Sequence, residues 1–318
     1  MNYPIANLIF NTLLKGDKLS MVDCGAWGGS LHEWDCLDQF ITRYGFDPNA
    51  DECNRLNAEA KSKGFDHRYF PCFLAQKVEK GRKFYCTNDF GANSLFEPDE
   101  ELVGRWRSMH LGKLIPTLST TGTKNIIEVD TVNLDSWARE YKIHDVDFIK
   151  LDVQAAELEV LEGGKDLIGS TLGMNVEVWF SKVYKKQPLF ADIDIFLRNL
   201  GFSFYSFYIY TTSQYVGRMA SPVAFPNLTT YEDQKRAGQL VTADSLYLRD
   251  PLCEPKIELP MKKQLKLICL AEMCSQVEYC FEMIEFLKTS LEKQGDSHNA
   301  RLVEAVQKSA GSLYKTQK

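Results

Sequence analysis

Apolar positions along the chain fall into short runs separated by turns rich in glycine, proline and asparagine. Residues 3 to 15 read as an amphipathic helix that ends at Gly16. Leu19 to Cys24 is a compact apolar run of strand character, and it breaks into Gly25-Ala26-Trp27-Gly28-Gly29-Ser30. Leu31, Trp34, Leu37 and Phe40 then recur at threefold spacing, which predicts a helix. Ile41 to Phe46 is the next strand and closes at Asp47-Pro48-Asn49. Asn49 caps a helix through Cys53 and Leu56, and Gly64 terminates it. Tyr69 to Ala75 is a third strand, and Lys83 to Cys86 a short extended piece.

Residues 88 to 96 are polar and loop-like, and Glu97 to Met109 reads as helical. Ile126 to Val132 is extended, and a short helix containing Trp137 starts at Asn133 or Asp135. Asp147 to Leu151 is a strand ending at Asp152, followed by a helix Ala155 to Leu161 that stops at Gly163-Gly164. Met174 to Phe180 is a strand. A helix through Ile193, Phe196, Leu197 and Leu200 ends at Gly201. Phe202 to Tyr210 and Leu240 to Leu248 are strands with no helix between them. Strands alternating with helices predict a mostly parallel, doubly wound α/β sheet, and the last two strands predict an antiparallel end to it.

Beyond Pro255 and Pro260 the pattern changes. Leu270, Met273, Val277, Cys280, Ile284, Leu287 and Leu291 alternate spacings of three and four, the mark of a helix with one apolar seam. Gly295-Asp296-Ser297 is a turn, and a second helix spans Ala300 to Lys308. The expected organisation is an N-terminal helix (1–18), a catalytic α/β domain (19–251) and a C-terminal helical hairpin (252–318). The seam packs on its own domain or serves a homodimer contact.

Composition narrows the class. The formal net charge of -6 disfavours a duplex-binding surface, so no nucleic-acid partner is expected. No apolar run approaches the ~20 residues of a membrane-spanning helix. Met1 to Leu14 lacks the basic start and small-residue cleavage site of an export signal. Nine scattered cysteines without a CxxC pair read as reduced thiols, which points to a cytoplasmic setting, and no spacing supports a metal site. His32, His67 and His144 read as surface or capping residues.

The chemistry concentrates at the turn after the first strand. In open α/β sheets, ligands bind at the carboxyl ends of the strands. The turn lacks the GxGxxG dinucleotide fingerprint and the lysine of a phosphate-binding loop. Asp23, just before it, would repel a pyrophosphate and suits an ammonium group. Asp47 ends the second strand, where a carboxylate accepts hydrogen bonds from ribose hydroxyls. An amino group, a ribose and no phosphate describe S-adenosylmethionine. Lys150 and Asp152 share one face of their strand. Glu177 stands mid-strand among apolar residues, where it either pairs with Lys150 or meets a substrate. Trp27 either shapes the ligand pocket or packs under the first helix. The stretch Tyr210 to Gln239, with Tyr215, Arg218, Phe225 and Tyr231, either stacks on an acceptor or folds over the sheet.

These segments together resemble the FkbM family of class I S-adenosylmethionine-dependent methyltransferases, over about residues 20 to 250. Val22-Asp23-Cys24-Gly25-Ala26-Trp27-Gly28-Gly29 is similar to the family's VDVGAxxG turn, and Phe46-Asp47-Pro48 to its FEP segment. Asn93-Ser94-Leu95 resembles its serine-bearing loop. Val129 to Asp135 is similar to VDTVxLD, and Asp147 to Glu157 to DxLKIDVEGAE. The last segment departs from the pattern: Gln154 and Ala155 stand where the family has glutamate and glycine.

The resemblance implies a Rossmann-like class I fold and S-adenosylmethionine as cofactor. Asp23, Gly25, Ala26 and Gly29 would hold its methionine part, Asp47 its ribose, and Leu74 and Ala75 its adenine. Asp152 would lie near the transferring methyl group. The implied reaction is O-methylation of a sugar, a glycan or another small-molecule acceptor. Asp152 and Glu177 are the candidate catalytic bases, and Asn93, Ser94 and Trp179 the candidate substrate contacts. The alternatives are a nicotinamide-dependent dehydrogenase and a non-catalytic interaction protein on the same fold, the latter motivated by Gln154.

Overall fold

The computed structural model describes residues 3–29, 32–110, 113–208, 215–218, 239–253 and 257–316. In chain order the first elements are α1 (Pro4–Asn11), β1 (Leu19–Cys24), a 3-10 helix (His32–Phe40), β2 (Ile41–Asp47), α2 (Ala50–Lys63), β3 (Asp66–Pro71), β4 (Phe73–Leu74) and β5 (Glu79–Thr87). Then come α3 (Glu100–Val103), β6 (Trp106–His110), β7 (Lys113–Pro116), α4 (Leu118–Thr121), β8 (Thr123–Val132), α5 (Leu134–Tyr141) and β9 (Phe148–Leu151). They are followed by α6 (Glu157–Glu162), α7 (Lys165–Ile168), β10 (Gly173–Trp179), α8 (Phe190–Asn199), β11 (Phe202–Tyr208), β12 (Tyr215–Arg218), β13 (Gln239–Leu240) and β14 (Thr242–Arg249). The chain closes with α9 (Met261–Met273), α10 (Val277–Lys293) and α11 (Ser297–Thr316).

Seven strands form the main sheet in the order β11-β14-β10-β9-β1-β2-β3. All neighbours are parallel except β14, which runs antiparallel to both β10 and β11. This is the mostly parallel sheet with an antiparallel end that the element order predicts, and the Rossmann-like class I arrangement that the resemblance implies. Alternation along β1 sorts the side chains: Leu19 and Met21 enter one core, Val22 and Cys24 the other. Helices α5 to α8 cover the second face. The first face packs against α1, the 3-10 helix and α9 to α11 in one continuous core from Tyr3 to Val306. So the N-terminal helix and the C-terminal helices complete the main sheet's own core.

Buried polar contacts fix that packing. Glu272 on α9 accepts the free N–H groups of Ile5 and Ala6 at 3.0 and 2.7 Å, satisfying donors that the first turn of α1 leaves unpaired. The Trp34 indole donates to Met273 O at 3.1 Å, and the Tyr279 hydroxyl to Arg249 O at 2.7 Å. The seam residues Leu270, Cys280, Ile284 and Leu287 are buried inside the chain.

Several expectations change. The C-terminal region holds three helices instead of a hairpin of two, because the seam breaks at Cys274–Gln276, where Ser275 takes a left-handed φ of 61°. The threefold spacing at Trp34, Leu37 and Phe40 belongs to a 3-10 helix, whose period is three. The helix expected over 97–109 shrinks to α3, and Trp106 starts a strand. That strand joins a separate sheet, β13-β12-β6-β7, whose partner β12 lies over a hundred residues downstream and leaves no local signal. The third strand ends at Pro71, and Phe73–Leu74 pairs instead with β8 in a three-stranded sheet. All nine cysteines are free thiols. Among the described residues no helix is long and apolar enough to cross a membrane.

Candidate active site

The carboxyl ends of β1, β2 and β9 meet around the glycine turn. Gly25 and Ala26 donate their N–H groups to Phe46 O, both at 2.9 Å, which locks the turn onto β2. Gly25 has φ +84°, and a Cβ there would stand 1.9 Å from the Asp152 carbonyl oxygen. Glycine is therefore required so that β1 can approach the end of β9. Ala26 is fully buried beside Cys53, Leu56 and Tyr69, and Gly29 packs on Leu56. Asn49 caps α2 by accepting from Glu52 N at 2.9 Å, and Gly64 ends that helix in the left-handed region.

A cavity of about 760 Å³ opens beside this turn, within the usual size of ligand sites. Of the expected site residues, Gly25, Asp47, Leu74, Asn93 and Asp152 line it. One wall is apolar, formed by Phe73, Leu74, Phe84 and Ile127. Asp47 Oδ1 accepts from Asn49 N at 2.8 Å, and Oδ2 has no hydrogen-bond partner among the described residues. Burial raises the Asp47 pKa, against the lowering effect of the Asn49 hydrogen bond.

Asp23, Ala26, Gly29 and Ala75 lie outside the cavity lining. Asp23 is 3% exposed, and its Oδ1 has no hydrogen-bond partner. Burial raises its pKa, opposed by Lys150, whose Nζ is 3.7 Å away. Lys150 also sits 3.5 Å from Asp152 Oδ2 and donates to Gly25 O at 3.1 Å. Burial alone would lower the Lys150 pKa, but Asp152, Asp23, Asp244 and Glu177 together hold it above the usual value. One feature fits a ribose-bearing ligand, the half-engaged Asp47 carboxylate on the cavity wall, while the Asp23 oxygen faces Lys150 behind that wall.

Glu177 does not form the ion pair with Lys150 that its strand position allowed. Gln154 Nε2 donates to Asp152 Oδ1 at 2.9 Å and to Glu177 Oε2 at 3.0 Å, so an amide bridges the two candidate bases. Burial drives the Glu177 pKa well upward, and the charges of Asp152, Glu157 and Asp244 add to it. Burial also pushes Glu157 to about 8, while its Oε1 accepts from Val153 N at 2.9 Å. Burial and three neighbouring carboxyls thus favour the neutral form of Glu177 more than in a free glutamate. The bridging turn is strained: Gln154 has φ 53° and Ala155 φ 80°, where a Cβ is unfavourable. It is over-determined by its bonds. Ser94 donates its hydroxyl to Gln154 O at 2.5 Å, and Tyr184 OH donates to Ala92 O at 2.8 Å, with Gln154 Oε1 as its alternative acceptor at 3.4 Å.

Ser94 is thus buried as a brace behind the wall. Trp179 packs edge-on against Tyr184 in a small buried cluster, with its indole N–H unpartnered. Trp27 does not pack under the first helix; it is 54% exposed at the cavity rim. His67 is buried near Asp38 and Arg43 and held to about 4, chiefly by burial. Tyr210, Phe225 and Tyr231 lie outside the described residues, and no side-chain placement is described for Tyr215 or Arg218.

Sequence reading missed Asp244. It stands in register with Glu177 across the antiparallel β10–β14 pair, so both carboxyls share one face. Burial raises its pKa to about 6, with Asp152 adding and Lys150 opposing. The cue that marked Glu177, a carboxylate inside an apolar strand, was present here too.

The sequence model of the Methyltransferase FkbM domain matches residues 23–204. A 70-residue stretch is 37% identical to the 2-O-methyltransferase NoeI of Sinorhizobium fredii; it covers 22% of this chain and 29% of that protein. Among solved structures, magnesium protoporphyrin IX methyltransferase from Synechocystis PCC 6803, with bound SAM, aligns over 77% of this chain and 76% of its own, at 14% identity and TM-score 0.35. TehB from Haemophilus influenzae aligns over 77% and 62%, at 9% identity and TM-score 0.36.

Proposed function

Since the chain belongs to the FkbM methyltransferase family, we propose that it binds S-adenosylmethionine and methylates a hydroxyl of a sugar, glycan or other small-molecule acceptor. The observation that carries this reading is the cavity walled by Gly25, Asp47 and Asp152 at the carboxyl ends of three strands. The likeness to a 2-O-methyltransferase supports oxygen as the accepting atom.

We assign Asp47 to the ribose hydroxyls and Leu74, with Ala75 behind it, to the adenine. Gly25, Ala26 and Gly29 shape the methionine end, and Asp23 with Asp152 supplies negative charge for its amino group. The cofactor brings a methyl group activated by a sulfonium, so positioning accounts for much of the catalysis. Asp152 is the assigned proton acceptor for the acceptor hydroxyl. Glu177, its pKa driven upward by burial, stands behind it and orients it through Gln154. Asn93 contacts the acceptor. Ser94 and Trp179 support that wall from behind.

Calorimetric titration with S-adenosylhomocysteine tests the reading. Wild type should bind at micromolar Kd, and Asp47→Ala should weaken binding by about 1.5–3 kcal/mol through the lost charged hydrogen bonds. Folded wild type that does not bind would overturn it.

A further inference from the structure

Four of the five tryptophans, Trp34, Trp106, Trp137 and Trp179, are buried. Trp27 is 54% exposed, and Phe90 beside it is 57% exposed. Their ring centroids are 4.8 Å apart with planes tilted by 47°, and both rings line the cavity that holds Asp47 and Asp152. A buried aromatic ring contributes strongly to stability, so two left to water at one rim are not explained by the packing of the fold.

Both rings sit on braced backbone. Gly28 N, next to Trp27, donates to Glu52 Oε1 at 3.1 Å. On either side of Phe90, Thr87 Oγ1 donates to Asp89 O at 2.6 Å and Gly91 N to Asp89 Oδ1 at 3.0 Å. Asn93 Oδ1 accepts from Thr87 N at 2.7 Å, which leaves its amide NH2 as a donor. Asp89 and Asn93 share the cavity lining with the two rings.

We propose that Trp27 and Phe90 form an acceptor platform on which the apolar face of a saturated sugar ring stacks. The inference rests on the sugar-acceptor reading above and names the residues that would select for it. The two rings meet at a 47° tilt, and each is more than half exposed. Such exposed aromatic faces suit the C–H face of a pyranose, and Asp89 and Asn93 in the same lining offer polar groups for its hydroxyls.

Because Trp27 is the exposed tryptophan, acrylamide quenching of intrinsic fluorescence reports on it selectively. Saturating S-adenosylhomocysteine should leave the quenchable emission accessible. Adding methyl glycosides of common hexoses and deoxyhexoses at high millimolar concentration should protect it. Phe90→Ala should raise the glycoside concentration needed by about two- to tenfold, the range of one aromatic contact. Trp27→Phe should abolish the quenchable component and so confirms the reporter. Protection by S-adenosylhomocysteine alone would mean that the pair covers the cofactor, and the proposal falls. Protection by catechol but by no glycoside, or by neither, also overturns it. Calorimetry with S-adenosylhomocysteine separates the two readings. If it binds and no glycoside protects, only the platform is wrong; if it does not bind, the methyltransferase reading fails first.

Discussion

Asp147, immediately before β9, and Asp152, immediately after it, are buried or half-buried carboxylates about one short strand apart. Around Asp147 every acceptor is matched. Its Oδ1 accepts from Lys263 at 2.7 Å, and its Oδ2 from Lys266 at 2.6 Å and Ser20 N at 2.9 Å. Lys263 also reaches Asp145 and Ser170 O. Around Asp152 one lysine serves many carboxyls. Lys150 pairs with Asp23 and Asp152, while Glu177 and Asp244 raise its pKa from further off. The first cluster anchors α9 to the sheet; the second carries more negative charge than its own cation neutralises. A fold keeps such a surplus at a cost to stability, and a cationic ligand offsets it. Electrostatic completeness separates anchor from site better than burial does, since Asp23 and Asp147 are both buried.

The largest expected effect breaks the anchor. Asp147→Ala leaves the Lys266 ammonium buried without its partner, and removing one member of a buried pair costs about 3–5 kcal/mol. Urea unfolding should show that loss, while S-adenosylhomocysteine affinity of the folded variant stays near wild type. A loss below about 1 kcal/mol would mean that the two clusters do not differ in kind.

The surplus at the other end has the opposite sign. Asp244 is held near 6 by burial first and by Asp152 second, with Glu177 facing it and Lys150 opposing. The folded protein thus binds this proton more tightly than the unfolded chain does. The contribution of Asp244 to stability therefore falls as pH rises from about 4 to about 6 and is flat above that. Asp244→Asn should remove the fall. The variant should match wild type near pH 4 and exceed it by about 1–2 kcal/mol at pH 7, after discounting for partial exposure. Melting temperatures across that range check it; equal curves would show that the carboxylate surplus carries no strain.

The contrast between the clusters also explains what could be read from sequence. Asn49 and Gly64 mark the ends of α2 because caps are local chemistry. Strands β1, β2, β9 and β10 were legible within a residue or two, because alternation and a closing turn are local too. That Asp47 and Asp152 line the cavity was legible because each closes a strand, whereas Asp23, one residue inside β1, is buried behind the wall. The Lys266 partner of Asp147 lies over a hundred residues away, and nothing near either residue announces the pair. The role of Gln154 was hidden for the same reason: its departure from the family pattern was visible, but its two carboxyl partners meet only when β9 and β10 pair. Of the two places open to Trp27, at the pocket or under the first helix, the chain takes the pocket rim, which local sequence alone does not decide.

The smallest effect probes the strained turn that joins Asp152 to α6. Ala155 is buried with φ 80°, so its Cβ is held in a region that disfavours L side chains by roughly 1–2 kcal/mol. Ala155→Gly relieves that strain, but it gives up a buried methyl group at about 0.8 kcal/mol and adds flexibility to the unfolded chain at about 0.5–1 kcal/mol. The terms nearly cancel, so the variant should unfold within about 0.5 kcal/mol of wild type. Ala138, buried on α5 with ordinary helical backbone, is the control. Ala138→Gly loses the same methyl and pays the helix penalty with no strain to relieve, and should cost about 1.5–2 kcal/mol. The gap between the two substitutions measures the strain. Equal losses would show that the turn beside Asp152 is relaxed, and that the two ends of β9 differ in charge alone.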